Sequence, residues 1–153
     1  MSEGDALEHT ISWVSEVSKI SDEVSINPMN IQRGTIVDRL FRNREYRPPW
    51  LWSLVEMIIR THDDVSKTDC RVIVHPTAGG KARGSHNCGS CDSEVVAAIE
   101  RYSVSGNLGE FNRLECECKK VWLSEIQNDS ALPTPMGSGI HRRGNALDRL
   151  RSP

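Results

Sequence analysis

From Leu7 to Val24 the apolar residues fall at positions 7, 11, 14, 17, 20 and 24. Steps of three and four place them on one face of a helix, so the pattern predicts an amphipathic helix over this span. Asp5 stands where it can cap the start. Asn27 precedes Pro28 and is thereby pushed out of the helical region, which ends the segment. The helix is rich in serine, which lowers its intrinsic propensity. Its apolar face therefore needs tertiary packing or a partner, and a homodimer through residues 7–24 is one way to supply it.

A second helix is expected from about Ile31 to Glu45, with Ile36, Val37, Leu40 and Phe41 inward. "YRPPW" breaks it, and Pro49 suits the first turn of a third helix, "WLWSLVEMIIRTH". There Leu51, Leu54, Val55, Ile58 and Ile59 form the broadest apolar stripe in the chain, with Trp50 and Trp52 beside it. Tryptophans in such a position can form a base-stacking platform, but aromatic residues beside a helical stripe are expected in the core. "CRVIVH", residues 70–75, is short and β-branched and reads as a strand. The glycine-rich stretch 76–91 reads as a loop. "DSEVVAAIERY" is a helix capped by Asp92 or Ser93, with Val95, Val96, Ile99 and Tyr102 on its apolar face. After "SVSGN", the residues Phe111, Leu114, Cys118, Val121, Trp122 and Ile126 repeat at helical spacing. Leu114, Cys116 and Cys118 also alternate as a strand would. The longer period favours a helix across the segment.

The expected fold class is mainly α with a short β element. Residues 1–127 are expected to form a single helical domain. Residues 128–153, rich in Pro, Gly, Ser and polar side chains, are expected to be a flexible tail. Hydrophobic residues make up 37% of the 153-residue chain and the mean hydropathy is −0.46, which fits a packed centre beside a polar tail. No apolar run reaches the length of a membrane span. The N-terminus, "MSEGDALEHT", lacks the basic-then-apolar order of a signal peptide. The chain is therefore expected in the cytoplasm or another intracellular compartment, not secreted and not associated with a membrane. Five cysteines cannot all be paired in disulfides.

Net charge is −2, which argues against a general polyanion binder. The average hides a polarity. Glu3, Asp5, Glu8, Glu16, Asp22 and Glu23 face only Lys19 in the first 25 residues. Arg33, Arg39, Arg42, Arg44 and Arg47 follow, against Asp38 and Glu45. Fourteen arginines to five lysines favour planar, bidentate recognition of phosphate. Arg39, Arg42, Arg44 and Arg47, then Arg142 and Arg143, are the candidate nucleic-acid contacts. Pairing of this basic stretch with the acidic N-terminal segment is the alternative.

The chemistry-bearing residues concentrate in "SHNCGSC" and "LECECKK". A C-x-x-C pair in a loop turns two thiolates toward one point, and Cys116 and Cys118 complete the four ligands that a structural zinc site takes. The helix after Cys91 would then start beside the ion, with its positive end toward the thiolates. One conflict stands: a C-x-C pair within a continuous helix projects its side chains about 200° apart. The site therefore requires a loop or strand at 116–118. A second grouping joins Cys88 and Cys91 to His86 with His75 or Cys70. A third reading leaves all the thiols unmetallated. The cysteine pattern over residues 86–118 is similar, in a generic way, to zinc ribbons and knuckles, a likeness that carries no particular function with it.

No phosphate-binding glycine motif, nucleophile elbow or H-E-x-x-H motif occurs. No catalytic residues are assigned, and the chain is expected not to be an enzyme. The expected role is a small regulatory or accessory protein, with a structural zinc site, that contacts nucleic acid or a nucleic-acid machine. The alternatives are an adaptor that uses the N-terminal helix and a thiol-redox protein that uses Cys88 and Cys91.

Overall fold

The computed structural model describes residues 2–131. The chain is mainly helical with a short parallel β element. The order is α1 (Glu3–Val17), β1 (Glu23–Ile26), α2 (Ile36–Arg42), α3 (Leu51–Val65), β2 (Arg71–Val74), α4 (Asp92–Ser105), a 3-10 turn (Leu108–Phe111) and α5 (Cys118–Ala131). From residue 132 onward the segment expected as a flexible tail lies outside the described residues, and Arg142 and Arg143 with it.

α3 is the centre of the core. Leu51, Trp52, Leu54, Val55, Met57 and Ile58 are all buried. Burying a side chain of this size stabilises the fold by about 1.5–3 kcal/mol. α1 packs on both α3 and α5, while α4 packs on α3, β2 and the 3-10 turn. Trp50 and Trp52 are both core residues, and Trp52 is only 1% exposed.

Two helices are shorter than their periodicity predicts. α1 stops at Val17 instead of running to Val24. Its true cap is Ser2, whose Oγ accepts from Asp5 N while Asp5 accepts from Ser2 N, a reciprocal capping box. Ile20 carried the predicted stripe onward, but it is 86% exposed. Val24 belongs to β1, where "EVSI" alternates outward and inward and pairs in register with β2, Glu23 opposite Arg71 and Ile26 opposite Val74. Leu7 and Val14 are buried and Ile11 packs beside them, so the face offered for a homodimer is covered by α3 and α5.

α2 begins at Ile36 instead of Ile31. Gly34 takes a positive φ of 80°, and Thr35 caps the helix by accepting from Asp38 N at 3.1 Å. Ile36, expected inward, is 70% exposed. The chain also departs from the expected helix at 111–117. No continuous helix crosses this stretch; the chain runs without regular structure from Leu114 to Cys116 and enters α5 only at Cys118.

Candidate metal centre

Two loops meet at the start of α4. The first, 86–91, is tied to the N-terminal end of α3. Trp52 N donates to Asn87 Oδ1 at 3.3 Å, His86 N donates to the Pro49 carbonyl at 3.3 Å, and Arg47 Nη2 donates to the His86 carbonyl at 3.2 Å. Buried Asp92 accepts from both Asn87 N and Gly89 N at 3.1 Å, which folds the chain back between Cys88 and Cys91. Gly89 makes that turn at a φ of 91°, a conformation that a side chain would strain. The second loop, 112–117, places alternate residues on one side, so Leu114 and Cys118 are buried and Cys116 is half-buried. The 116–118 conflict disappears because the helix starts at its last residue.

The four sulfur atoms converge. Cys88 Sγ lies 4.0 Å from Cys91 Sγ and 3.6 Å from Cys116 Sγ, and Cys91 Sγ lies 3.6 Å from Cys118 Sγ. All four fall within 4.8 Å of one another. A tetrahedron with zinc–sulfur distances of about 2.3 Å has edges of about 3.8 Å. The separations match that figure and are far longer than a disulfide bond, about 2.05 Å. Donor type, number and spacing therefore fit a tetrahedral thiolate-binding ion such as zinc.

Two N–H groups point at the buried sulfur atoms. Trp52 Nε1 donates to Cys118 Sγ at 3.2 Å, and Asn87 Nδ2 donates to Cys91 Sγ at 3.4 Å. Such N–H groups orient ligands and tune a metal site. Lys119 Nζ sits 5.3 Å from the Trp52 ring centroid, next to Cys118. The backbone N–H of Ser90 lowers the Cys88 thiol to about 6, helped by the Cys118 thiol and the Cys91 N–H. Burial pushes the Cys91 and Cys118 thiols up instead. Without a cation the buried pair stays protonated at neutral pH; a divalent ion supplies the positive charge that full ionisation of the set needs.

The other candidate ligands stand elsewhere. His86 donates from Nδ1 to the Gly84 carbonyl at 2.8 Å. His75 is exposed just beyond β2, and Cys70 is buried just before it, its Sγ 3.8 Å from the Arg71 carbonyl. None of the three joins the sulfur cluster. Sequence reasoning missed Asn87, Asp92 and Trp52 as supports, since nothing in their spacing marks them.

The arginines divide into two groups. Arg47 is half-buried over the Trp50 ring, 4.0 Å from its centroid, and 3.9 Å from Glu125. Arg42 and Arg83 both pair with buried Asp38, at 2.6 and 2.8 Å. The side chains of Arg39 and Arg44 are exposed and have no partner among the described residues. Acid–base pairing with the N-terminal helix occurs at Arg60, which pairs with Glu8, and Arg47 of the basic stretch also feels the charge of Glu3.

No protein-family model matches the chain, and no solved structure does. Among curated proteins, the chain is 33% identical over 137 residues to the archaeosine synthase subunit beta of Methanosarcina acetivorans, covering 89% of this chain and 39% of that protein. It is 34% identical over 129 residues to the archaeosine synthase subunit beta of Thermococcus kodakarensis, covering 84% and 39%. An uncharacterized protein of Methanocaldococcus jannaschii is 27% identical over 142 residues, covering 90% and 38%. The chain thus spans about two fifths of the length of the curated relatives it matches. No helix among the described residues is long and apolar enough to cross a membrane.

Proposed function

We propose that this chain is a zinc-stapled accessory module of a tRNA-modifying machine, the kind of assembly that the name archaeosine synthase subunit beta denotes. Archaeosine is a modified nucleoside of tRNA. The observation that carries this reading is the likeness of most of the chain to two proteins of that name, at 33% and 34% identity. A match covering 89% of the chain necessarily spans the stretch between Cys88 and Cys118. The same likeness supports an intracellular, nucleic-acid-associated role and a protein partner.

In this reading Cys88, Cys91, Cys116 and Cys118 hold one zinc ion as a closed structural site. Four thiolates leave no open coordination position, so the ion does no chemistry on a substrate. It fixes the loop before α4 to the start of α5. The reading is tested by deleting the chain's gene in its host and measuring archaeosine in bulk tRNA by nucleoside mass spectrometry. Loss or marked reduction of archaeosine is expected, with recovery by the parent gene and not by a Cys88→Ser/Cys118→Ser version. An unchanged archaeosine level would overturn it.

A further inference from the structure

We infer that the exposed face of α2, with the turns on either side of it, binds the phosphodiester backbone of an RNA strand. The choice of RNA rests on the tRNA-modification reading; the choice of surface rests on the structure. A shallow groove of about 400 Å³ runs along this face, lined by Thr35, Ile36, Asp38, Arg39, Arg42 and Asn43. Arg33 and Arg44 flank it in sequence. The side chains of Arg33, Arg39 and Arg44 are exposed and uncommitted among the described residues. Glu45, the exposed acid nearby, accepts from Asn43 Nδ2 at 3.2 Å.

Asp38 lies beneath this face, 2% exposed. It accepts from Gly34 N at 2.9 Å, from Arg42 Nε and Nη2 at 3.3 and 2.6 Å, and from Arg83 Nη2 at 2.8 Å. Its charge is spent internally. Arg42 is thereby held from one side while its side chain remains 64% exposed, so its guanidinium meets a phosphate already oriented. Arg83 also donates to the Ile31 carbonyl at 3.3 Å, which ties the loop leading to the cysteine centre to the edge of this surface.

Arg44 supplies an independent observation. It sits at a φ of 62°, just past the C-terminal end of α2. Arg44 N donates to the Phe41 carbonyl at 3.1 Å, and Glu45 N donates to the Leu40 carbonyl at 2.9 Å. This is the helix-ending motif that glycine ordinarily closes, because a side chain is strained there. A strained arginine with no partner for its side chain is stability given up for something outside the fold. Beside Arg33, Arg39 and Arg42, the partner it fits is a row of phosphates.

The test uses the purified chain and an unmodified, fluorescently labelled tRNA transcript, with affinity read by anisotropy from about 50 to about 200 mM salt. The parent is expected to bind with a steep salt dependence. The Arg33→Gln/Arg39→Gln/Arg44→Gln variant is expected to bind at least about tenfold more weakly at the middle of that range, with the log–log salt slope flattened by about two units, near 0.7–0.9 per lost contact. Arg44→Gly alone should flatten the slope by about one unit while melting no lower than the parent, a combination that a purely structural arginine would not give. Absence of binding by the parent, an unchanged triple variant, or a lower melting temperature for Arg44→Gly would each overturn the inference. An acidic protein as occupant of this face would show as tRNA binding untouched by the triple variant. The archaeosine measurement is separate: tRNA binding that fails while archaeosine still depends on the gene removes this surface alone, and the converse removes the modification role alone.

Discussion

Stripping zinc from the four-cysteine centre should lower the melting temperature by an amount set by the loop that the metal closes. The ion would join Cys91 to Cys116 across a loop of about 25 residues. Treating it as a cross-link, the loop-closure entropy is worth about 3.5 kcal/mol at 25 °C. For a folded region of this size that corresponds to a fall of roughly 10–15 °C. The loss should be local at first. Leu51, Ile58, Val95 and Ile99 are each fully buried in the core, whereas α5 starts at Cys118 and is held by Trp122, whose Nε1 donates to Ser53 Oγ at 2.9 Å. Scanning calorimetry with and without a strong chelator reads the shift, and tryptophan fluorescence reports the release of α5. Cys118→Ser should reproduce the chelator effect. Cys70→Ser, which alters a buried thiol outside the cluster, should not. Equal melting temperatures for the chelated and untreated protein, or equal losses in the two variants, would refute the cross-link argument.

Other consequences follow from the same geometry. The Asp38 carboxyl is held far below the usual carboxylate range, first by Arg42, then by the Gly34 N–H and Arg83. Its contribution is therefore complete above an ordinary aspartate value of about 4 and is lost as the pH falls further; melting temperatures measured from about pH 5 to about pH 2 should drop more steeply for the parent than for Asp38→Asn. In metal-free protein near pH 7, Cys88, exposed and lowered to about 6, should be alkylated well before Cys91 and Cys118, as read by peptide mass spectrometry; equal rates would contradict the assigned N–H stabilisation. Ile99→Ala, at a fully buried position on α4, should cost about 2–5 kcal/mol in chemical denaturation, and a loss below about 1 kcal/mol would show that α4 is not part of the packed core.

How far the fold could be read depended on how long each signal ran. α3 and α4 carry apolar stripes over several turns, and Val72, Ile73 and Val74 of β2 are all β-branched, so these elements were legible. β1 was not: four residues with only Val24 and Ile26 inward cannot outweigh a helical period that happens to reach them, and its strand character depends on pairing with β2, far along the chain. Ile20 and Val24 continue the spacing past the end of α1 at Val17, although Ile20 points to solvent. At 111–126 two periods overlapped. The alternating one governs Leu114 to Cys118 and the helical one takes over afterwards, so no continuous helix forms over the first half. The cysteine pattern was visible as residues, but its convergence depends on Asn87, Asp92 and Trp52, which bring the two loops together through contacts that spacing does not encode. The arginine stretch was visible as charge only. Which members are free and which are spent on Asp38, Trp50 and Glu125 is a property of packing.

X-ray absorption at the zinc edge, on protein purified without added metal, reads the ligand set of the four-cysteine centre. One zinc per chain is expected, with a single shell of four sulfur ligands at about 2.3 Å and no nitrogen or oxygen in that shell. Absence of zinc, or a shell containing histidine nitrogen, would contradict it.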